Sequence, residues 1–90
     1  MVGATGLVGS TMLSILEQRA FPVGEVHAVA SARSVGRTVR FQGRDLPVQD
    51  LESFDFSKVQ IGLFSVGVSV SKVYVVRAGK AGCVVIDNTP

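Results

Sequence analysis

The chain is 90 residues long, 47% hydrophobic and 18% charged, with a formal net charge of +2, which is enough for one globular domain with a modest core and too short for two. Its nine Lys and Arg residues are spread rather than grouped, no apolar run reaches the roughly 18 to 20 residues of a membrane span, and the opening residues lack the charged-then-apolar layout of a secretory signal. Nucleic-acid and membrane partners are therefore not expected, and the lone Cys83 rules out an internal disulfide or a clustered metal site, which fits a cytoplasmic protein.

The chain opens with "MVGATGLVGSTM". Met1 and Val2 read as the end of a strand, and Gly3, Gly6 and Gly9 form the spacing G-x-x-G-x-x-G of a strand-to-helix turn. Val8 to Arg19 follows as a helix, with Val8, Met12, Ile15 and Leu16 on one face and Gly9 where that helix must approach a sheet. Pro22 breaks the helix. Glu25 to Ser31, "EVHAVAS", is a short β-prone strand. The runs "TVRF" and "DLPVQ" flank "QGRD", which predicts a hairpin or two short edge strands, with Pro47 confining the second to an edge. Gln60 to Ser65 is a buried strand. Ser69 to Lys80 is a helix with Val70, Val73, Tyr74 and Arg77 at helical spacing, closed by Gly79 or Gly82. "CVVID" is a last strand.

Strands alternating with helices predict an α/β, Rossmann-like, doubly wound and mostly parallel sheet with helices on both faces and an incomplete first strand. Ligands of such sheets lie at the carboxyl ends of the strands, where the glycine turn falls. Without side chains at Gly3 and Gly6 the backbone can turn sharply and approach a pyrophosphate, held by N–H groups at the helix N-terminus, with the Thr5 hydroxyl as a further donor. The competing reading is a tight turn with no ligand. The end of the second strand selects the dinucleotide: "ASARS" offers Ser31, Arg33 and Ser34 and no acid, so it favours the 2′-phosphate of NADP over the bare ribose of NAD. Asn88, closing the last strand at the ligand edge, is a further candidate contact.

Other chemistry-bearing residues read as structural. Cys83 begins an apolar strand and is expected to be buried. His27, within "EVHAVA", lacks a partner at triad or metal spacing and reads as a packed or half-exposed strand residue. Asp50, Glu52 and Asp55 read as a solvated loop face. No residue of the chain is assigned a catalytic or metal-binding role.

"VGATGLVG", "FPVGEVHAVASARSVGRTVRFQG", "FDFSKVQIGLFS" and "AGCVVIDNT" together resemble the N-terminal part of the bacterial aspartate-semialdehyde dehydrogenases over nearly the whole chain. The resemblance implies an NADP-dependent oxidoreductase that converts aspartyl phosphate to aspartate semialdehyde in lysine, threonine and methionine biosynthesis. It places the pyrophosphate against Thr5, Gly6, Leu7 and Val8, the 2′-phosphate against Arg33 and Ser34, and the cofactor beside Ser65 and Gly67. It also implies that residues 1–90 are an NAD(P)-binding fragment, clipped at both ends and inactive alone. The catalytic and dimerisation domain would then lie outside the chain, in a parent that forms homodimers or homotetramers. Val68 departs from the family's pattern, replacing a glycine beside the cofactor path. A reductase of N-acetylglutamyl phosphate and a non-catalytic paralogue are the alternatives.

Overall fold

The structure, a computed structural model, describes residues 1–19 and 23–88; the helix break expected at Pro22 lies outside them. The described elements are helix α1 (Leu7–Gln18), strands β1 (Ala28–Ala30), β2 (Thr38–Phe41), β3 (Arg44–Asp50) and β4 (Ile61–Phe64), helix α2 (Val68–Lys80) and strand β5 (Val84–Asp87). Single 3-10 turns at Ala32–Ser34 and Phe56–Lys58 join them and were not foreshadowed by the periodicity.

The centre of the sheet is one residue. Val2 bridges Val29 of β1 on one side and Phe64 of β4 on the other, both in parallel. Its N–H donates to the Leu63 carbonyl at 2.8 Å, and its own carbonyl accepts from Ser65 at 3.0 Å. Outward from Val2, β1 pairs in parallel with β3, and β4 pairs in parallel with β5. The hairpin partner β2 pairs antiparallel with β3, so the sheet is mixed and runs β2–β3–β1–Val2–β4–β5.

Two clusters of buried side chains share this sheet. Ala28 packs with Ala4, Leu13 of α1 and Phe41. Its neighbour Val29 packs with Val2, Phe54, Phe56, Phe64, Cys83 and Ala78 of α2. Successive strand residues point to opposite faces, and α1 and α2 pack into different clusters.

Four expectations are corrected. First, β3 is not an edge strand, because it lies between β1 and β2. Pro47 is tolerated there because it pairs only with Thr38, and the parallel rungs to β1 begin one residue later at Val48, so its missing N–H falls before that ladder. Second, the buried stripe of α1 runs through Gly9 and Leu13, with Leu16 partly buried, while Val8 and Ile15 are exposed. Third, α2 buries Ser71 and Ala78 and half-buries Tyr74 and Val75, turning Val70 and Val73 outward. In both helices a small residue takes the position of closest approach, where a valine would hold the helix off the sheet. The strand expected over Glu25–Ser31 shortens to Ala28–Ala30, the span that β3 pairs.

An apolar groove of about 740 Å³ opens beside Val2, lined by Val26 and His27 on the β1 side, Ile61 and Leu63 of β4, and Met12 and Ile15 of α1.

Candidate dinucleotide-binding site

The glycine turn is built by close backbone packing. Gly3 has φ +88°, and a Cβ on it would collide with the Ser65 carbonyl; a Cβ on Gly9 would collide with the carbonyl of Gly3. The left-handed conformation and both close approaches require glycine. Gly3 donates to Val29 at 2.8 Å and Gly6 to Gly3 at 3.1 Å, which folds the turn tightly over the ends of β1 and β4.

Beyond the turn α1 begins with Gly6 as its N-cap, and no side chain caps it. The first helical bond runs from Ser10 N–H to the Gly6 carbonyl at 2.9 Å, so the N–H groups of Leu7, Val8 and Gly9 stand ahead of it at the helix mouth. Leu7 and Val8 are exposed there, Leu7 at 85%, which leaves their backbone open to a ligand. Helix α2 repeats the arrangement after β4, with Gly67 as N-cap, no side-chain cap and no acid in its first turn. Two uncapped N-termini at one edge of a sheet make that edge attractive to anions.

The residues named from sequence converge here. The hydroxyls of Thr5 and Ser34 lie 3.3 Å apart, joining the glycine turn to the loop after β1. Ser31 is the N-cap of the 3-10 turn that carries Arg33 and Ser34, and Ser34 N–H donates to its carbonyl at 2.9 Å. Arg33 is exposed and enters no ion pair among the described residues. Across the turn, Ser65 touches Gly3, and Asn88 N–H donates to the Phe64 carbonyl at 2.8 Å, so Ser65, Gly67 and Asn88 follow the two strands on the far side of Val2. Val68 is the first residue of α2 and half-exposed. The one non-glycine with positive φ among the described residues is Gln42, so the valine sits without backbone strain.

Of the other candidates, Cys83 is buried and Glu52 and Asp55 are exposed as expected, whereas Asp50 closes β3 half-buried instead of lying on a solvated loop, and His27 lies just ahead of β1 instead of within a strand. Cys83 is buried and burial pushes its thiol up. His27 packs its ring 5.6 Å from that of Phe54 and meets the Gln49 amide at 3.1 Å. Asp50 and Asp55 accept from the backbone N–H groups of Glu52 and Ser57; the Ser57 hydroxyl and N–H hold the Asp55 carboxyl below its usual value. Sequence reasoning missed one polar pair at this edge, in which Ser71 of α2 donates to Asp87 of β5 at 2.6 Å. The signal was a serine at the buried spacing of "VSVSKVY", hidden by louder valines.

With that geometry described, the family described as "Semialdehyde dehydrogenase, NAD binding domain" matches residues 1–90. The chain belongs to this family. It is 56% identical over 89 residues to the aspartate-semialdehyde dehydrogenase of Legionella pneumophila, covering 99% of this chain and 26% of that protein. It is 46% identical over 87 residues to the USG-1 protein homolog of Azotobacter vinelandii, across 97% of this chain and 26% of the relative. The crystal structure of aspartate semialdehyde dehydrogenase II from Vibrio cholerae complexed with ASA superimposes with a TM-score of 0.94 at 52% identity, over 98% of this chain and 29% of that one. The chain thus spans about a quarter of the length of these relatives. Membership of the semialdehyde dehydrogenase NAD-binding family supports a nicotinamide dinucleotide as the cofactor.

Proposed function

We propose that this chain is the NADP-binding part of an aspartate-semialdehyde dehydrogenase, which reductively dephosphorylates aspartyl phosphate to aspartate semialdehyde in lysine, threonine and methionine biosynthesis. The observation that carries the reading is the glycine turn, where Gly3 and Gly9 admit no Cβ and which opens onto two helix N-termini without side-chain caps. Such a cradle fits a pyrophosphate, and a turn with no ligand would not need both features at one edge.

The N–H groups of Leu7, Val8 and Gly9 would hold the pyrophosphate, with the Thr5 hydroxyl beside them. Arg33, Ser34 and Ser31 would hold the 2′-phosphate, and Arg33 suits it because a guanidinium meets phosphate oxygens through two parallel hydrogen bonds. Ser65, Gly67 and Asn88 would flank the opposite end, since a dinucleotide lies across the crevice where strand order reverses, here at Val2. Bound there, the dinucleotide would supply the hydride chemistry of its nicotinamide ring. The residues of this chain bind and orient it. Cys83 is buried with a raised pKa, which suits packing and not a thioester nucleophile, so the reacting thiol and its acid/base partner would come from the rest of the enzyme. The two helices on separate cores support a doubly wound sheet, and the parent is expected to be a cytoplasmic homodimer or homotetramer.

A second reading is a paralogue that keeps the dinucleotide fold without the chemistry, since one relative of this chain is named a USG-1 protein homolog and not a dehydrogenase. Calorimetry on the chain with NADP and with NAD tests the site: NADP should bind at least about tenfold more tightly. Equal affinity overturns the NADP assignment, and no binding of either overturns the site. Assay of the full reading frame with aspartate semialdehyde, phosphate and NADP separates enzyme from paralogue.

A further inference from the structure

Among the described hydrophobic and polar positions, Ser71 is the one buried polar residue, 5% exposed, and it lies one turn into α2. Its hydroxyl donates to the Asp87 carboxylate at 2.6 Å, a short charge-assisted bond, and its N–H bonds the carbonyl of Gly67 at 2.9 Å. The N–H bond is the first backbone bond of α2, so it is the hydroxyl that ties this first turn, and through it the Gly67 N-cap, to the end of β5. Asp87 is in turn paired with Phe64 across the sheet, and Asn88 donates to the Phe64 carbonyl. The grip thus ends on the two segments, Ser65–Gly67 and Asn88, that face the ligand edge on the β4–β5 side. An alanine at position 71 would bury as readily, so packing alone does not account for the hydroxyl.

We propose that Ser71 and Asp87 are positioning residues that set the Ser65–Gly67 turn and Asn88 against the nicotinamide half of the bound dinucleotide. This rests on the dinucleotide reading above and adds to it a division of labour. The loop after β1, with Arg33 and Ser34, reads the adenosine end and stands on the other side of Val2, where no part of the Ser71–Asp87 contact reaches. The clamp should therefore act on one half of the ligand only. That asymmetry separates a positioning role from a merely structural one, because general loosening of the domain weakens both halves.

The test is calorimetry with two probes, NADP and its fragment 2′,5′-ADP, which carries the adenosine end and no nicotinamide. For Ser71→Ala and for Asp87→Ala, NADP affinity should fall about tenfold while 2′,5′-ADP stays within about twofold of the unaltered chain. Asp87→Asn keeps an oxygen that can accept from Ser71, and it should restore most of the NADP affinity. Equal loss of both probes, or no loss of either, overturns the clamp and leaves the dinucleotide site standing. An unaltered chain that binds neither probe overturns the site reading and this inference with it.

Discussion

On the proposed reading Arg33 would carry the choice of cofactor, as a cation on a short exposed turn whose N-cap, Ser31, and neighbour, Ser34, bring hydroxyls and no carboxylate. A guanidinium at such a place is unconstrained until an anion arrives, so its removal should cost binding and little else. We expect Arg33→Ala to weaken NADP binding by about 1.5 to 3 kcal/mol, the scale of a hydrogen bond to a charged group, and to leave NAD nearly unchanged. Arg33→Asp should go further and reverse the preference, because it repels the phosphate and offers an acceptor to a bare ribose. Titration calorimetry on the three proteins with both dinucleotides makes the comparison; equal losses for the two ligands would mean that Arg33 acts through the shape of its loop. The glycines at the turn were legible at this scale because their spacing encodes a backbone need. Ser71 was not, because a single hydroxyl among valines has no period, and its meaning depends on Asp87, sixteen residues away and reached only through the fold.

At the scale of elements, position along the chain was legible and rotation was not. Both helices and the order of strands agree with the sequence pattern to within a residue or two at most ends, yet the buried stripe of each helix differs from the apolar one. In α2 the stripe Ser71, Tyr74, Val75 and Ala78 follows spacings of three and four, just as Val70, Val73, Tyr74 and Arg77 do, so periodicity alone admits both rotations. Close approach to β4 and β5 decides between them in favour of the small side chains, a quantity that sequence patterns do not carry. β3 eluded the reading for a related reason, since a proline marks an edge only if the strand is paired along its whole length, and β3 changes partners at Pro47. The corrected rotation has a sharp consequence. Ala78 is fully buried and Val73 is 55% exposed, so Ala78→Leu should destabilise the domain by about 1 to 3 kcal/mol through overpacking. Val73→Ala should change stability by no more than about 0.5 kcal/mol. Urea unfolding of both variants checks this, and the opposite ranking would restore the apolar stripe as the buried one.

For the molecule as a whole, the weak point is the apolar groove beside Val2, where the two halves of the sheet meet through one residue. The Met1 ammonium donates to the His27 carbonyl at 2.7 Å, the rung that a peptide N–H makes inside a parallel sheet. Burial lowers its pKa from 8.0 to about 6, against a smaller opposing effect of Cys83. The folded chain therefore binds fewer protons than the unfolded chain between about pH 6 and pH 8, and stability should rise with pH across that window. Above it both states are neutral at this group and the penalty is gone; below it both are charged and the penalty is complete, at about 1 to 3 kcal/mol. The strand edge that flanks the groove points the same way. Leu63 gives its carbonyl to Val2, so the alternate residue further back in β4, Ile61, turns its backbone groups toward the groove. Adding four β-branched residues ahead of Met1 would convert the ammonium to an amide that keeps its rung, and would lay aliphatic side chains into the groove at about 1.5 to 3 kcal/mol each when fully buried, against about 1 to 2 kcal/mol of backbone entropy per residue. The extended chain should melt at a higher temperature, and its stability should lose the rise between pH 6 and pH 8. Thermal melts of both chains at pH 5.5, 7 and 8.5 test this. A rise that persists in the extended chain would assign the titration to another group, and an unchanged melting temperature at pH 8.5 would show that the groove does not accept a strand.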